Sequence, residues 1–237
     1  MKQVETVLSP ALLPYYNLDE KTVVIIDILR ATTSICYAFH NGISEVIPVT
    51  DPETCLAYKK LGYLCAAERN GIQLEGFDMG NSPFSFSEDV VKNKKLAITT
   101  TNGTFALHQS KAAKNILIGS FLNLEALVEA IKTLGNDVVL LCAGWKNKVN
   151  LEDTVFAGAV AALLEDYGGN CDSTLMAKNL HQNQRHVLPD FISRASHAMR
   201  FKNIGNEDDI AFCLQHNICL EVPYFDKVEN KIYCNRI

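Results

Sequence analysis

The 237-residue sequence contains no apolar run long enough to cross a bilayer, so no membrane partner is expected. Its first ten residues, MKQVETVLSP, lack the continuous apolar stretch of a secretory leader. Positive charge is the minority sign: 22 lysines and arginines face 27 acidic residues, for a net charge of -5. That balance excludes the broad phosphate-tracking surface of a nucleic-acid binder, and any bound anion has to be held by local groups. The eight cysteines form no C-x-x-C pair and no zinc-like spacing. With no leader in view, they read as reduced, mostly buried thiols of a cytoplasmic protein. Low-complexity tracts, linkers and short-period repeats are also missing, which excludes a solenoid. Histidines give little guidance. His181 and His186 in HQNQRH read as a solvated face, while His108 and His197 fall on expected helices away from the polar turns. None of them is expected to hold a metal.

What is present is an α/β pattern with enough apolar residues to bury a core, as one large domain or two small lobes. Three segments share one layout of aliphatic strand, polar turn and helix. They begin at TVVIIDILRATTS, KKLAITTTNGT and DVVLLCAGWKNKVNLEDT. Unbroken apolar strands followed by helices indicate parallel strands covered on both faces. Asp51 and Pro52 mark one helix start, and Asn123 with Gly135 bracket another whose apolar face carries Leu127, Val128, Ile131 and Leu134. The helix opened by Glu152 and Asp153 is apolar all round and is expected to run to Gly168 and Gly169. Residues 218–234 read as a C-terminal antiparallel hairpin at a sheet edge. The expected fold is a layered α/β/α arrangement on a largely parallel, mixed sheet.

Ligands of an open parallel sheet bind beyond the carboxyl ends of its strands, where helix N-termini present unpaired N–H groups. Four turns supply candidates there. In DILRATTS, Asp27 offers a carboxylate, Arg30 a guanidinium fork, and Thr32 and Thr33 hydroxyls. In TTTNGT, Thr100 and Thr101 offer hydroxyls, Asn102 an amide, and Gly103 room for a backbone to approach a ligand. The polar stretch 67–83 carries Glu68, Arg69, Asp78 and Asn81 between glycines, and reads as an ordered binding loop. Glu152 and Asp153 open the buried helix, where the helix dipole alone would also favour them. A carboxylate at that point suits a hard cation such as magnesium.

Taken together, DILRATTS, ERNGIQLEGFDMGNSP, TTTNGTFAL and CAGWKNKVNLEDTVFAG resemble the 2-phosphosulfolactate phosphatase family, the ComB-like proteins. The resemblance extends more weakly through NEDDIAFCLQHNICLEVPYF. It implies magnesium-dependent hydrolysis of 2-phospho-3-sulfolactate to 3-sulfolactate and phosphate, a step toward coenzyme M in methanogens. Two departures stand out. Family members often carry Gly-Glu-Arg-Gly-Gly where this chain has Ala67 to Gly71 with Asn70, and often a glycine where Asn147 stands. Asparagine is the next-best residue for a positive φ angle, so the loop shapes can survive. The substrate the resemblance implies carries phosphate, sulfonate and carboxylate, and Arg30, Arg69, Lys146 and Lys148 all lie in the matching loops.

The residues exclude three other phosphatase chemistries. No cysteine stands in a C-x-x-x-x-x-R motif, RHV at 185 is not R-H-G, and the DIL turn has leucine where a D-x-D motif needs its second Asp. Attack by a metal-bound water is preferred over attack by Asp27 itself. Asp27, Glu68 and Asp153 are the expected catalytic carboxylates; Arg30, Thr32, Thr33, Arg69, Asn81, Thr100, Thr101, Asn102 and Gly103 the expected substrate contacts. Asp27, Asp78, Glu152 and Asp153 are the candidate magnesium ligands. Magnesium takes one or two carboxylates, so Asp27 ranks first and the Glu152/Asp153 pair second, with Glu68 and Asp78 orienting Arg69 or a water. A phosphatase for another small phosphorylated hydroxy acid, or a non-catalytic anion-binding module, stays open, as does a homo-oligomer.

Overall fold

The computed structural model describes residues 1–169, 171–202 and 206–235. Its strands are β1 (Val4–Val7), β2 (Thr22–Ile26), β3 (Glu45–Pro48), β4 (Leu64–Arg69), β5 (Ile72–Gln73), β6 (Lys95–Thr99), β7 (Asn115–Gly119), β8 (Val138–Cys142), β9 (Val222–Asp226) and β10 (Lys231–Asn235). The helices are α1 (Ala31–His40), α2 (Pro52–Ala57), α3 (Glu88–Val91), α4 (Gly103–Gln109), α5 (Leu124–Leu134) and α6 (Leu151–Leu163). They continue with α7 (Asp172–Gln184), α8 (Leu188–Ile192), α9 (Ser196–Lys202) and α10 (Glu207–Cys213). All ten strands form one sheet in the order β1-β8-β2-β7-β9-β10-β3-β6-β4-β5.

The three strand–turn–helix units hold. Both faces of the sheet are covered, as unbroken apolar strands require. Val24 and Ile26 of β2, with Leu140 of β8, enter one core with α5 and α6. Their neighbours Val23, Ile25 and Leu141 enter the other with α1 and the residues of α4. Asp51 caps α2, accepting the Thr54 N–H at 2.8 Å. Gly135 ends α5 in the left-handed conformation, as its position implies. Asn123 stands at the N-cap of α5, but its side chain turns back to accept the Ser120 N–H at 3.0 Å. Leu134 is exposed rather than on the buried face.

Two expectations need correction. Helix α6 stops at Leu163, well before Gly168, because the following residues leave it to pair with the N-terminal segment. Gly168 donates to Lys2 O at 2.7 Å and accepts from Val4 N at 3.0 Å. The C-terminal hairpin β9–β10 is not at an edge. It lies in the middle of the sheet, antiparallel to β7 on one side and to β3 on the other, and joins two parallel blocks.

That insertion bends the sheet. Five strand-to-strand steps at about 4.8 Å would part β2 from β6 by roughly 24 Å in a flat sheet. Yet a Cβ placed on Gly103, just after β6, would lie 3.0 Å from Asp27 Oδ2, just after β2. The sheet therefore curls until the carboxyl ends of its two parallel blocks face one another.

Candidate active site

Asp27 is the first residue beyond β2, buried at 5% exposure. Its loop is held by its own hydroxyls. The Asp27 N–H donates to Thr32 Oγ1 at 3.0 Å, and Thr33 Oγ1 donates to Ile28 O at 2.9 Å. Opposite, Thr100 and Thr104 clasp one another: the Thr104 N–H donates to Thr100 Oγ1 at 3.1 Å, and the Thr100 N–H to Thr104 Oγ1 at 3.2 Å. This clasp leaves Gly103 against Asp27 and Ala31, where a side chain would collide. Thr101 and Asn102 remain accessible at the rim.

Arg30 has a buried partner. Its Nη1 donates to Asp209 Oδ2, its Nη2 donates to Gly71 O at 3.1 Å, and its guanidinium lies 4.9 Å from the Phe201 ring centre. The second Asp209 oxygen accepts from Ser82 Oγ at 2.7 Å. Glu68 sits on β4, not on a loose loop. The parallel register puts Ala67 beside Thr99, so Glu68 and Thr100 leave the sheet side by side. Glu68 Oε2 accepts the Gly71 N–H and lies 4.0 Å from Arg30. Arg69 Nη1 donates to the Glu68 carbonyl at 2.8 Å. Asn81 is buried, and its side-chain oxygen has no partner among the described residues.

At the start of α6 the two adjacent carboxylates diverge, as neighbouring helical side chains must. Asp153 is fully buried and accepts three hydrogen bonds, from Ile28 N, Gly144 N and Asn150 Nδ2, at 2.9, 3.0 and 2.9 Å. It thereby ties the β2 turn to the β8 turn. Glu152, also fully buried, meets His197 Nδ1 at 2.5 Å through Oε1, while Oε2 has no partner among the described residues. The Arg200 guanidinium donates to His197 Nε2 at 3.1 Å. A guanidinium only donates, so Nε2 accepts and the Nδ1–H points at Glu152. Trp145 stacks on the His197 ring at 5.2 Å.

The electrostatics follow from this crowding. Burial pushes the Asp27 carboxyl up to about 6, opposed by the nearby His197 and the Ala31 N–H and helped by Glu68 and Glu152. Burial, Glu152 and Asp27 likewise push Asp153 well above the carboxylate range, against its hydrogen bonds from Ile28 and Asn150. Among the described residues, Asp27, Glu68, Glu152, Asp153 and Asp209 are buried carboxylates, and of these Asp209 and Glu68 lie against the buried Arg30.

Glu68 opens onto a cleft of about 360 Å³ lined also by Thr50, Arg69, Thr101, Lys146 and Arg200, among others. The cleft narrows toward Asp27, Arg30, Asn81 and Thr100. The structure thus brings together Asp27, Arg30, Glu68, Arg69, Asn81, Thr100, Thr101, Asn102 and Gly103, with Glu152 and Asp153 just behind. It leaves Asp78 apart, paired with Lys59 at 2.9 Å and accepting the Cys65 N–H at the far end of β4. Thr33 is sealed under its loop, and Lys148 does not line the cleft. His197, set aside on sequence grounds, is central, and Asp209 and Arg200 were not foreseen. The only signal for Asp209 was the stretch NEDDIAFC; nothing local marked Arg200. Asn70 and Asn147 have φ angles of 56° and 57°, in the left-handed region that asparagine tolerates.

Residues 7–228 match the family profile described as 2-phosphosulpholactate phosphatase. The chain belongs to the 2-phosphosulfolactate phosphatase family. A relative from Clostridium novyi, named "Probable 2-phosphosulfolactate phosphatase", is 34% identical over 94% of this chain and 97% of its own length. Relatives of the same name from Thermotoga petrophila and Clostridium acetobutylicum are 38% and 35% identical, over 86% and 96% of this chain and 88% and 99% of theirs. Members of the 2-phosphosulfolactate phosphatase family are phosphoric monoester hydrolases by that name, and the cleft at the curled strand ends is where this member gathers its charged groups.

Proposed function

We propose that this protein is a magnesium-dependent phosphatase that converts 2-phospho-3-sulfolactate to 3-sulfolactate and phosphate. The observation that carries the reading is an imbalance. Among the described residues, the buried carboxylates Asp27 and Glu68 of the cleft, with Glu152 and Asp153 behind them, outnumber the buried Arg30, whereas Arg69, Lys146 and Arg200 line the mouth. A substrate with three anionic groups fits the mouth by its sulfonate and carboxylate, and needs a further cation between its phosphate and the floor. The donors available there are hard oxygens, including the unpartnered Glu152 Oε2 and Asn81 Oδ1, and this suits magnesium. Asp27, Glu152 and Asn81 are the residues that would hold it.

Bound there, magnesium would neutralise charge on the phosphoryl oxygens. The chain supplies the rest. Arg200, oriented by His197 and Glu152, directs its guanidinium toward the substrate's anionic end. Thr101 and Asn102 donate to phosphoryl oxygens at the rim. Asp27, at the inner end of the cleft, takes the proton of the attacking water as the new O–P bond forms. The ester O–P bond on the C2 side breaks, the departing alkoxide takes a proton from solvent water, and Asp27 releases its own proton to solvent.

The test is phosphate release from 2-phosphosulfolactate, phospholactate and 3-phosphoglycerate at equal concentration, with magnesium and with a chelator. Fastest release from the sulfonate-bearing ester, abolished by chelation, is expected. Equal rates with and without the sulfonate would sink the substrate assignment, and full activity in chelator would sink the metal.

A further inference from the structure

A second set of metal-binding side chains lies at the other end of α1. The ten residues of that helix place His40 about 15 Å along its axis from Arg30. His40, Cys219 and Glu221 each offer one donor atom, and the three atoms lie within 4.8 Å of one another. His40 Nδ1 is already 3.1 Å from Glu221 Oε2.

The backbone that carries them is fixed. The Cys219 N–H donates to Leu122 O at 2.8 Å, and Asn123 Nδ2 donates to Glu221 O at 3.0 Å. The Leu220 N–H donates to Glu221 Oε2 at 3.1 Å. Among the described residues, His40 is the only ion-pair partner of Glu221.

We propose that His40, Cys219 and Glu221 bind a divalent metal of the zinc class, with water as the fourth ligand. An imidazole, a thiol and a carboxylate are zinc donors, whereas magnesium takes oxygen almost alone. Zinc bonds of 2.0–2.3 Å set ligand atoms roughly 3.3–3.8 Å apart, so the present group has to close by about 1 Å. His40 can supply that movement, being the last residue of its helix with a side chain 36% exposed. The bound metal would pin α1, whose first turn carries the catalytic loop, to the entry of β9. This site is separate from the phosphatase cleft, and its existence does not depend on that assignment.

Cobalt(II) titration of the full chain in excess magnesium tests this, because a thiolate–cobalt charge-transfer band reports a cysteine ligand directly. One equivalent bound with that band, displaced by zinc, is expected. Cys219→Ser should abolish the band and Asp27→Asn should leave it unchanged. No band in the wild type, or a band of wild-type intensity in Cys219→Ser, overturns the proposal. Should Cys219→Ser fail to fold, His40→Ala decides. Its zinc affinity, read by competition with a chromogenic chelator, should fall by about tenfold or more. Unchanged affinity in His40→Ala would refute the site.

Discussion

Asp27 and Asp153 are both carboxylates whose pKa values are raised by burial, yet their surroundings set them apart. Asp153 receives three hydrogen bonds and joins two turns, so it is a fastener. Asp27 faces the cleft with far less compensation, and its pKa near 6 compares with 3.8 in the unfolded chain. The folded state therefore holds the Asp27 proton more tightly. The associated stability is fully present below pH 3.8 and is lost as pH rises through 6. A rise of that size corresponds to about 3 kcal/mol at neutral pH as an upper bound. In chelator, Asp27→Asn should be more stable than wild type at pH 7.5, by up to that amount, with the difference gone below pH 4. Phosphate release should vanish in the same variant. Asp153→Asn should instead be destabilised, because its new NH₂ would face donors. Urea unfolding at pH 4 and 7.5 checks both, and an Asp27→Asn variant no more stable than wild type at pH 7.5 would remove the functional reading of this carboxylate.

Among elements, the turn between β6 and α4 shows why small residues gather at one strand end. The Thr100–Thr104 clasp shapes the turn, and Gly103 lets it close on the β2 turn. Gly103→Ala places a methyl 3.0 Å from both Asp27 Oδ2 and Ala31 Cβ. Overpacking of this kind destabilises by about 1–3 kcal/mol. The larger expected effect is on kcat/KM, a drop of about tenfold or more, since a displacement near 1 Å at reacting groups can be that damaging. Steady-state kinetics beside a melting curve separates the two, and wild-type kcat/KM would reduce the turn to a turn. This element, with those after β2 and β8, is legible in the sequence because each strand, turn and helix is contiguous there. Asp27, Glu68 and the threonines are legible for the same reason. Asp209, His197 and Arg200 are not: they reach the cleft from α9 and α10, far along the chain, and His197 looks like any helical histidine until Glu152 and Trp145 surround it. Asp78 misleads in the opposite way, lying close to Glu68 in sequence while a reversal of the chain carries it to the other end of β4.

At the scale of the molecule, the position of the hairpin decides the site. Local alternation marks β9 and β10 as an antiparallel pair but says nothing of which strands receive them, and the sequence alone suggested an edge. Set between β7 and β3, the hairpin pairs antiparallel with each neighbour, with Leu117 opposite Tyr224 and Val46 opposite Ile232. The hairpin thereby joins the two parallel blocks whose carboxyl ends face one another. Ile232 is fully buried there and shares a small cavity wall with Ala31, Thr32, Gly103 and Thr104. It therefore supports the two turns from beneath. Ile232→Ala should lose about 2–5 kcal/mol, as should Ile131→Ala in the opposite core on α5. Only the first should also lower kcat/KM well below its unfolding temperature, because only there does the vacated volume lie under Gly103. Equal kcat/KM in the two variants, at matched stability loss, would mean that the hairpin merely joins the halves and that the cleft keeps its geometry without it.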